Sequence, residues 1–192
     1  MDKKQKKQKM NSISTKTGDC GQTSLANGER VAKDSLVMEV VGTLDELSSW
    51  VGLVIAHLED NFSSQEDILS QIQQDLYQLS AVIVQAPQVK FKKLALDQLE
   101  EHSAVLEKEM AGSWQGKFLH PGGTKLAAQL DVARTICRRC ERLMFKHSDS
   151  GPKKVPALIM QYLNRLSDYL YLLRCYINLY QKHSEKQLTP DK

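Results

Sequence analysis

PALIMQYLNRLSDYLYLLRCYINLYQK, residues 156–182, carries Leu158, Ile159, Tyr162, Leu166, Tyr169, Leu170, Leu173, Ile177 and Tyr180 at spacings of three and four. One face of a helix repeats at that period, so the stretch predicts a long helix with a single buried stripe. Pro156 suits its first turn, where a missing N–H is no loss. The same period recurs upstream. Val37, Val40, Val41, Leu44, Leu47, Val51, Val54, Ile55 and Leu58 predict a helix from an N-cap at Asp34 to about residue 58. Ser63 or Ser64 caps a second, with Ile68, Ile72, Leu76, Leu79 and Ile83, and Pro87 ends it. A third, weaker helix runs from Lys93 to Met110 on Leu96, Leu99 and Leu106. A glycine-containing loop, 111–123, precedes a fourth helix that Thr124 opens and that reaches about Lys146. Residues 148–154 read as a polar turn. No alternating strand pattern stands out. Five helices on short connections predict an all-α fold, an antiparallel five-helix bundle.

The chain has 192 residues, 41% hydrophobic and 26% charged, which fits one globular domain. No apolar run approaches the ~20 residues of a membrane span, and no apolar stretch follows the basic N-terminus as a signal peptide requires. A cytoplasmic protein with no membrane partner is expected. Residues 1–12 hold five lysines against Asp2, a local +4, so the net +3 leaves the other 180 residues at −1. The body is therefore no general nucleic-acid binder. The expected organisation is a disordered lysine-rich arm over 1–12, a helical domain over 13–183 and a flexible tail over 184–192. Cys20, Cys137, Cys140 and Cys175 are expected to be reduced. Cys137 and Cys140 form C-x-x-C in mid-helix, where a redox pair lacks its helix N-terminus and zinc lacks its other ligands.

Three places carry chemistry. Thr15-Lys16-Thr17-Gly18-Asp19-Cys20-Gly21-Gln22-Thr23-Ser24 is dense in hydroxyls and glycine. Successive amides in such a loop can cradle phosphate, although Gly-Lys-Ser/Thr is absent and an ordinary polar loop also fits. In the fourth helix Arg134, Arg138 and Glu141 share a face, with Arg139 and Arg142 beside them. Arginines bordering a buried stripe call for anions, either carboxylates or polyphosphate. In the fifth helix Asn164 and Asp168, one turn apart, interrupt an apolar segment and could meet the arginine face. Asp45 and Glu46 are a further polar intrusion, in the first helix. No catalytic triad and no paired histidines appear, which disfavours a hydrolase or a zinc enzyme.

Taken in order, Thr15-Lys16-Thr17-Gly18-Asp19-x-Gly21, Gly42-Thr43-Leu44-Asp45-Glu46-Leu47-Ser48-Ser49, Phe118-Leu119-x-Pro121-Gly122-Gly123, Arg134-x-x-Cys137-Arg138-Arg139-x-Glu141-Arg142 and Leu163-Asn164-Arg165-Leu166-Ser167-Asp168-Tyr169 resemble the trimeric, propanediol-utilisation type of ATP:cob(I)alamin adenosyltransferase. The resemblance covers roughly residues 13–182. It implies a homotrimer with sites between subunits, and substrates ATP, with its Mg²⁺, and cobalamin or a precursor corrinoid of the cob(I)yrinic acid a,c-diamide type. In such enzymes cob(I) attacks the 5′ carbon of ATP and triphosphate leaves. By resemblance, Thr15, Lys16, Thr17 and Gly18, with Thr23, Ser24 and Lys33, hold phosphates. Arg138, Arg139, Glu141 and Arg142 meet the nucleotide and Asn164 completes that site. Asp45 and Arg134 match a pair bridging subunits, and Phe118 matches a ring closing the lower face of the corrinoid. No residue is assigned to a metal. Cys20 stands where the family usually has a second lysine, and His120 is unusual before Pro-Gly-Gly. The nucleophile is the substrate's own cobalt, so no general base is needed. A non-enzymatic ATP- or corrinoid-binding sensor on the same bundle is the rival reading.

Overall fold

The computed structural model describes residues 16, 18–113, 118–150 and 154–188. The expected arm over 1–12 lies outside the described residues. Among them stand five helices: α1 Leu36–Ile55, α2 Ser63–Ile83, α3 Lys93–Glu109, α4 Lys125–Ser150 and α5 Ala157–Tyr180. The all-α expectation holds, with one addition. Strands β1 Gln22–Ser24 and β2 Arg30–Ala32 pair antiparallel, Thr23 opposite Val31, ahead of α1. Three residues are too few for alternation to be visible in a sequence.

Helix ends differ slightly from expectation. Ser35, not Asp34, occupies the cap position of α1, and it makes no side-chain capping bond. Thr124 does cap α4, its Oγ1 accepting from Ala127 N at 3.3 Å. α4 continues to Ser150 rather than stopping near Lys146. Ser148 is buried there, and its Oγ accepts from Val155 N at 3.1 Å, which absorbs the polar residues of the expected turn into the helix end.

The predicted stripes form one core. Val40, Leu44, Leu47, Val51 and Val54 of α1 pack with Leu69, Ile72, Leu76 and Leu79 of α2. Leu130, Cys137, Cys140 and Met144 of α4, and Tyr162, Leu166, Leu170 and Leu173 of α5, complete it. Each such side chain removed from water contributes about 1.5–3 kcal/mol. Cys137 and Cys140 are core thiols: burial raises both, Cys140 to about 12, so neither is a nucleophile at neutral pH. A polar cluster on α2 and α5 interrupts the core. Tyr162 OH donates to Asp75 Oδ2 at 2.9 Å, and Gln71 Nε2 donates to Asp75 Oδ1 at 3.0 Å. Burial raises the carboxyl pKa of Asp75 against the pull of these two donors.

Cross-helix contacts fix the directions. Gln73 Nε2 donates to Ser48 O at 2.9 Å, joining α2 to α1. Ala26 N donates to Val84 O at 3.2 Å, seating the hairpin beside the end of α2. Phe62 meets Tyr180 edge-on at 4.9 Å, at the start of α2 and the end of α5. Phe91, just before α3, packs on Tyr162 at 5.0 Å. Asp75–Tyr162 on α2 and α5, and Glu141–Asn164 with Thr124–Asn178 across α4 and α5, complete the set. Helices α1, α3 and α5 therefore run one way, α2 and α4 the other. Loop 16–24 sits at the end where α1 begins, and residues 118–123 at the end where α5 finishes. The 20 residues of α1 alone separate those ends by about 30 Å at 1.5 Å per residue.

Candidate active site

At the first end the hairpin presents the glycine loop. Lys33 N donates to Gly21 O at 2.9 Å, closing the loop's base. A Cβ built on Gly18 would lie 3.0 Å from Lys33 Nζ, so the absent side chain is what lets the ammonium approach the loop backbone. Lys16 holds φ +56°, a left-handed conformation uncommon for a side-chain-bearing residue. Thus Lys16, Gly18, Thr23, Ser24 and Lys33 are gathered in one place, while Thr15 and Thr17 lie outside the described residues. Arg30 Nη1 donates to Ser24 Oγ at 3.3 Å, adding a second cation on the hairpin.

Midway along the bundle the arginines of α4 divide between two sides. Arg139 pairs with Glu46 of α1. Arg134 and Arg138 turn the other way and line a cavity of about 530 Å³ with Glu100, Glu107, Arg165 and Asp168. Glu141 is on that side too. Its Oε1 accepts from Asn164 Nδ2 at 3.0 Å, which brings the Asn164 face of α5 against the arginine face of α4. Arg165 pairs with Asp168 at 3.3 Å. Arg142 Nη1 donates to Arg138 O at 3.0 Å, so Arg142 lies along its own helix. A second cavity, about 440 Å³, adjoins the first at Glu100 and Arg165 and includes Glu141 and Asn164. Cationic forks beside a half-buried amide and carboxylate suit a polyanion that also carries a polar heterocycle. Asp45 is exposed on α1, and within the chain Arg134 Nε instead donates to Asp131 Oδ1 at 3.0 Å.

Residues 13–177 match the family model for cobalamin adenosyltransferase. The chain belongs to the cobalamin adenosyltransferase family. A corrinoid adenosyltransferase of Bacillus subtilis is 37% identical over 169 residues, 85% of this chain and 85% of that one. A cobalamin adenosyltransferase of Cupriavidus metallidurans is 34% identical over 180 residues, covering 88% and 90%. Among solved structures, a variant PduO-type ATP:corrinoid adenosyltransferase from Lactobacillus reuteri, complexed with cobalamin and ATP, superposes with TM-score 0.85 at 29% identity, over 92% of this chain and 99% of that one.

At the far end, the chain has features that its sequence motifs did not announce. Phe118 is 81% exposed. Its loop is paired with the chain's C-terminal segment: His120 N donates to Lys186 O at 2.9 Å and Leu188 N to Phe118 O at 2.6 Å. The tail expected from residue 184 is thus tied down over its described part, 184–188. Arg174 is buried, 2% exposed at its side chain, and forms ion pairs with Asp131 at 3.3 Å and Glu185 at 2.7 Å. The signal for Arg174 was its place between Leu173 and Cys175, a cation inside an apolar run; Asp131, following Leu130, gave the same signal on α4.

Proposed function

We propose that this chain moves the 5′-deoxyadenosyl group of ATP onto the cobalt of a cob(I) corrinoid and releases triphosphate. The cobalt electron pair forms the Co–C bond at C5′, the C5′–O bond breaks, and the triphosphate leaves with the bonding pair of that C5′–O bond. Family membership over residues 13–177 supports this reading. The single structural observation behind it is the cavity lined by Arg134 and Arg138, which adjoins, at Glu100 and Arg165, a second cavity that holds the Glu141–Asn164 pair.

The residues have separate tasks. Lys16, Gly18, Thr23, Ser24 and Lys33, with Thr15 and Thr17, hold the triphosphate, whose Mg²⁺ arrives with the nucleotide. Arg138 stabilises the charge that grows on the leaving oxygen, a contact worth about 2–4 kcal/mol in a water-poor site. Glu141 and Asn164 hold the nucleoside so that C5′ faces cobalt; Arg142 lies along α4, and Arg139, on the α1 side, pairs with Glu46 rather than joining that face. Phe118 covers the corrinoid's lower side. The protein supplies position, charge and exclusion of water.

Phosphate loop and Phe118 lie about 30 Å apart along one chain, more than a nucleotide spans. That separation supports a site assembled between copies; the family resemblance makes the assembly a homotrimer, with Asp45 of one copy meeting Arg134 of the next. Arg134 gives only its Nε to Asp131, so its terminal nitrogens suit that second carboxylate. A cytoplasmic setting fits the four unpaired cysteines. The test is the optical spectrum of chemically reduced cobalamin mixed with protein and ATP, with triphosphate measured in parallel. Appearance of the Co–C product with one triphosphate per turnover supports the enzyme. Binding of both substrates without conversion would make the chain a sensor or carrier instead.

A further inference from the structure

Asp131 connects two parts of the molecule that the motifs treat separately. Its Oδ1 accepts from Arg134 Nε at 3.0 Å, on the cavity side of α4. Its Oδ2 accepts from Gly122 N at 2.7 Å and faces Arg174 Nε at 3.3 Å, on the Phe118 loop side. The loop is gripped from the same direction by two further side chains. Arg174 Nη2 donates to Gly122 O at 2.8 Å and to His120 O at 3.2 Å. Asn178 Nδ2 donates to Gly122 O at 3.1 Å, and its Oδ1 accepts from Thr124 N at 3.0 Å. Glu185 closes the outer side, ion-paired with Arg174 Nη1 at 2.7 Å and accepting from Asn178 Nδ2 at 2.8 Å.

Gly123 makes this grip possible. A Cβ there would lie 2.3 Å from the Asn178 amide, so only glycine lets Asn178 reach the loop, and its φ of +115° suits no other residue. Two cations and two carboxylates balance in a nearly dry node. A rigid element held at both backbone polarities is the arrangement that fixes a functional side chain to within a fraction of an ångström.

We propose that Asp131 is a positioning residue, which sets the corrinoid-facing loop carrying Phe118 in register with the arginine face through Arg134. This rests on the reading of Phe118 as the corrinoid's lower cover. Asp131 touches no substrate; it acts through Gly122 and Arg174 on the loop, and through Arg134 on the nucleotide side.

The test is a double-mutant cycle with Asp131→Asn and Phe118→Ala, reading kcat, KM for ATP, KM for cobalamin and the electronic spectrum of bound cob(II). Asp131→Asn is expected to lower kcat and raise KM for cobalamin by about tenfold together, with KM for ATP within about twofold, and to shift the cob(II) spectrum as Phe118→Ala does. In the Phe118→Ala background the same change should cost less than about twofold, because residues joined through one hydrogen-bond network and a shared loop backbone couple. Additive losses in a folded protein overturn the proposal. So does a loss confined to KM for ATP. If Phe118→Ala alone changes nothing, the reading of Phe118 fails; if it acts but does not couple to Asp131→Asn, only this inference fails. Should Asp131→Asn not fold, Glu185→Gln loosens the same grip from its more exposed side, and the same coupling to Phe118→Ala is required.

Discussion

Replacing Phe118 by alanine separates a ligand-facing ring from a core ring. A buried phenylalanine lost to alanine costs about 3–5 kcal/mol. Phe118 keeps 81% of its surface exposed, which leaves about a fifth of that cost, roughly 0.6–1 kcal/mol. For a domain of this size the melting temperature should then move by no more than about 2–4 °C. Catalysis should respond far more. A ring over the lower axial side keeps water and the dimethylbenzimidazole base from cobalt, and losing an axial donor lowers the orbital that accepts the reducing electron. Adenosylation starting from cob(II) should therefore slow by at least about tenfold, equivalent to ~1.4 kcal/mol of barrier. It should slow less when cob(I) is supplied chemically. The assay pairs differential scanning fluorimetry with the spectrum of bound cob(II) in the presence of ATP. A four-coordinate signature that persists unchanged in Phe118→Ala refutes the reasoning, and a collapse in melting temperature returns Phe118 to the ordinary core.

Other outcomes follow from the same geometry. Arg138→Ala, at an exposed position, should leave the melting temperature near wild type and lower kcat by about 30- to 1,000-fold, matching 2–4 kcal/mol of transition-state charge stabilisation; unchanged turnover at saturating ATP contradicts the assignment. Asp45→Ala and Arg134→Ala should be non-additive, and the charge-swapped double variant should regain part of the assembly measured by light scattering; strict additivity removes the pairing. Asp75 is raised by burial, so the folded state binds its proton more readily than the unfolded chain does. Its contribution is full below the unfolded value of about 4 and is lost as pH rises through the elevated folded value. Asp75→Asn should flatten that descent in urea midpoints taken across the range, and parallel profiles for the two proteins exclude Asp75 as its source.

The helices were legible because each has one clean stripe. The Leu158-to-Tyr180 pattern needed no tertiary knowledge, and the one-turn spacing of Asn164 and Asp168 marked a face that could meet the arginine face of α4; that Glu141 is the partner of Asn164 is visible only in the structure. The end of α4 was not legible, because Ser148 is polar by type yet buried by its bond to Val155 N. The hairpin was missed because strands of three residues carry no period. The node around Arg174 was missed for a different reason. Asp131, Arg174, Asn178 and Glu185 are scattered over three segments, and only the antiparallel crossing of α4 and α5 brings them together. The arginines of α4 were legible as a group, but not their division. Arg139 joins Glu46 while Arg138 faces the cavity, a consequence of helical angle that matters only once α1 and α3 have taken their places.

The placement of phosphate loop and Phe118 at opposite ends of one bundle also fixes how activity should depend on mixtures. On the proposed assembly, taken with the loop of one copy meeting the arginine face of the next, a site belongs to a junction, not to a chain. Every chain in a closed ring then serves two junctions, each with a different part. Subunits altered only at Arg138 silence one junction apiece, so activity in randomly mixed rings declines in proportion to their share. Subunits altered at both the loop and Arg138 silence the junction on either side, and activity falls with the square of the wild-type fraction. Two singly altered chains, each inert alone, recover working junctions when mixed, since some neighbours pair an intact loop with an intact arginine face.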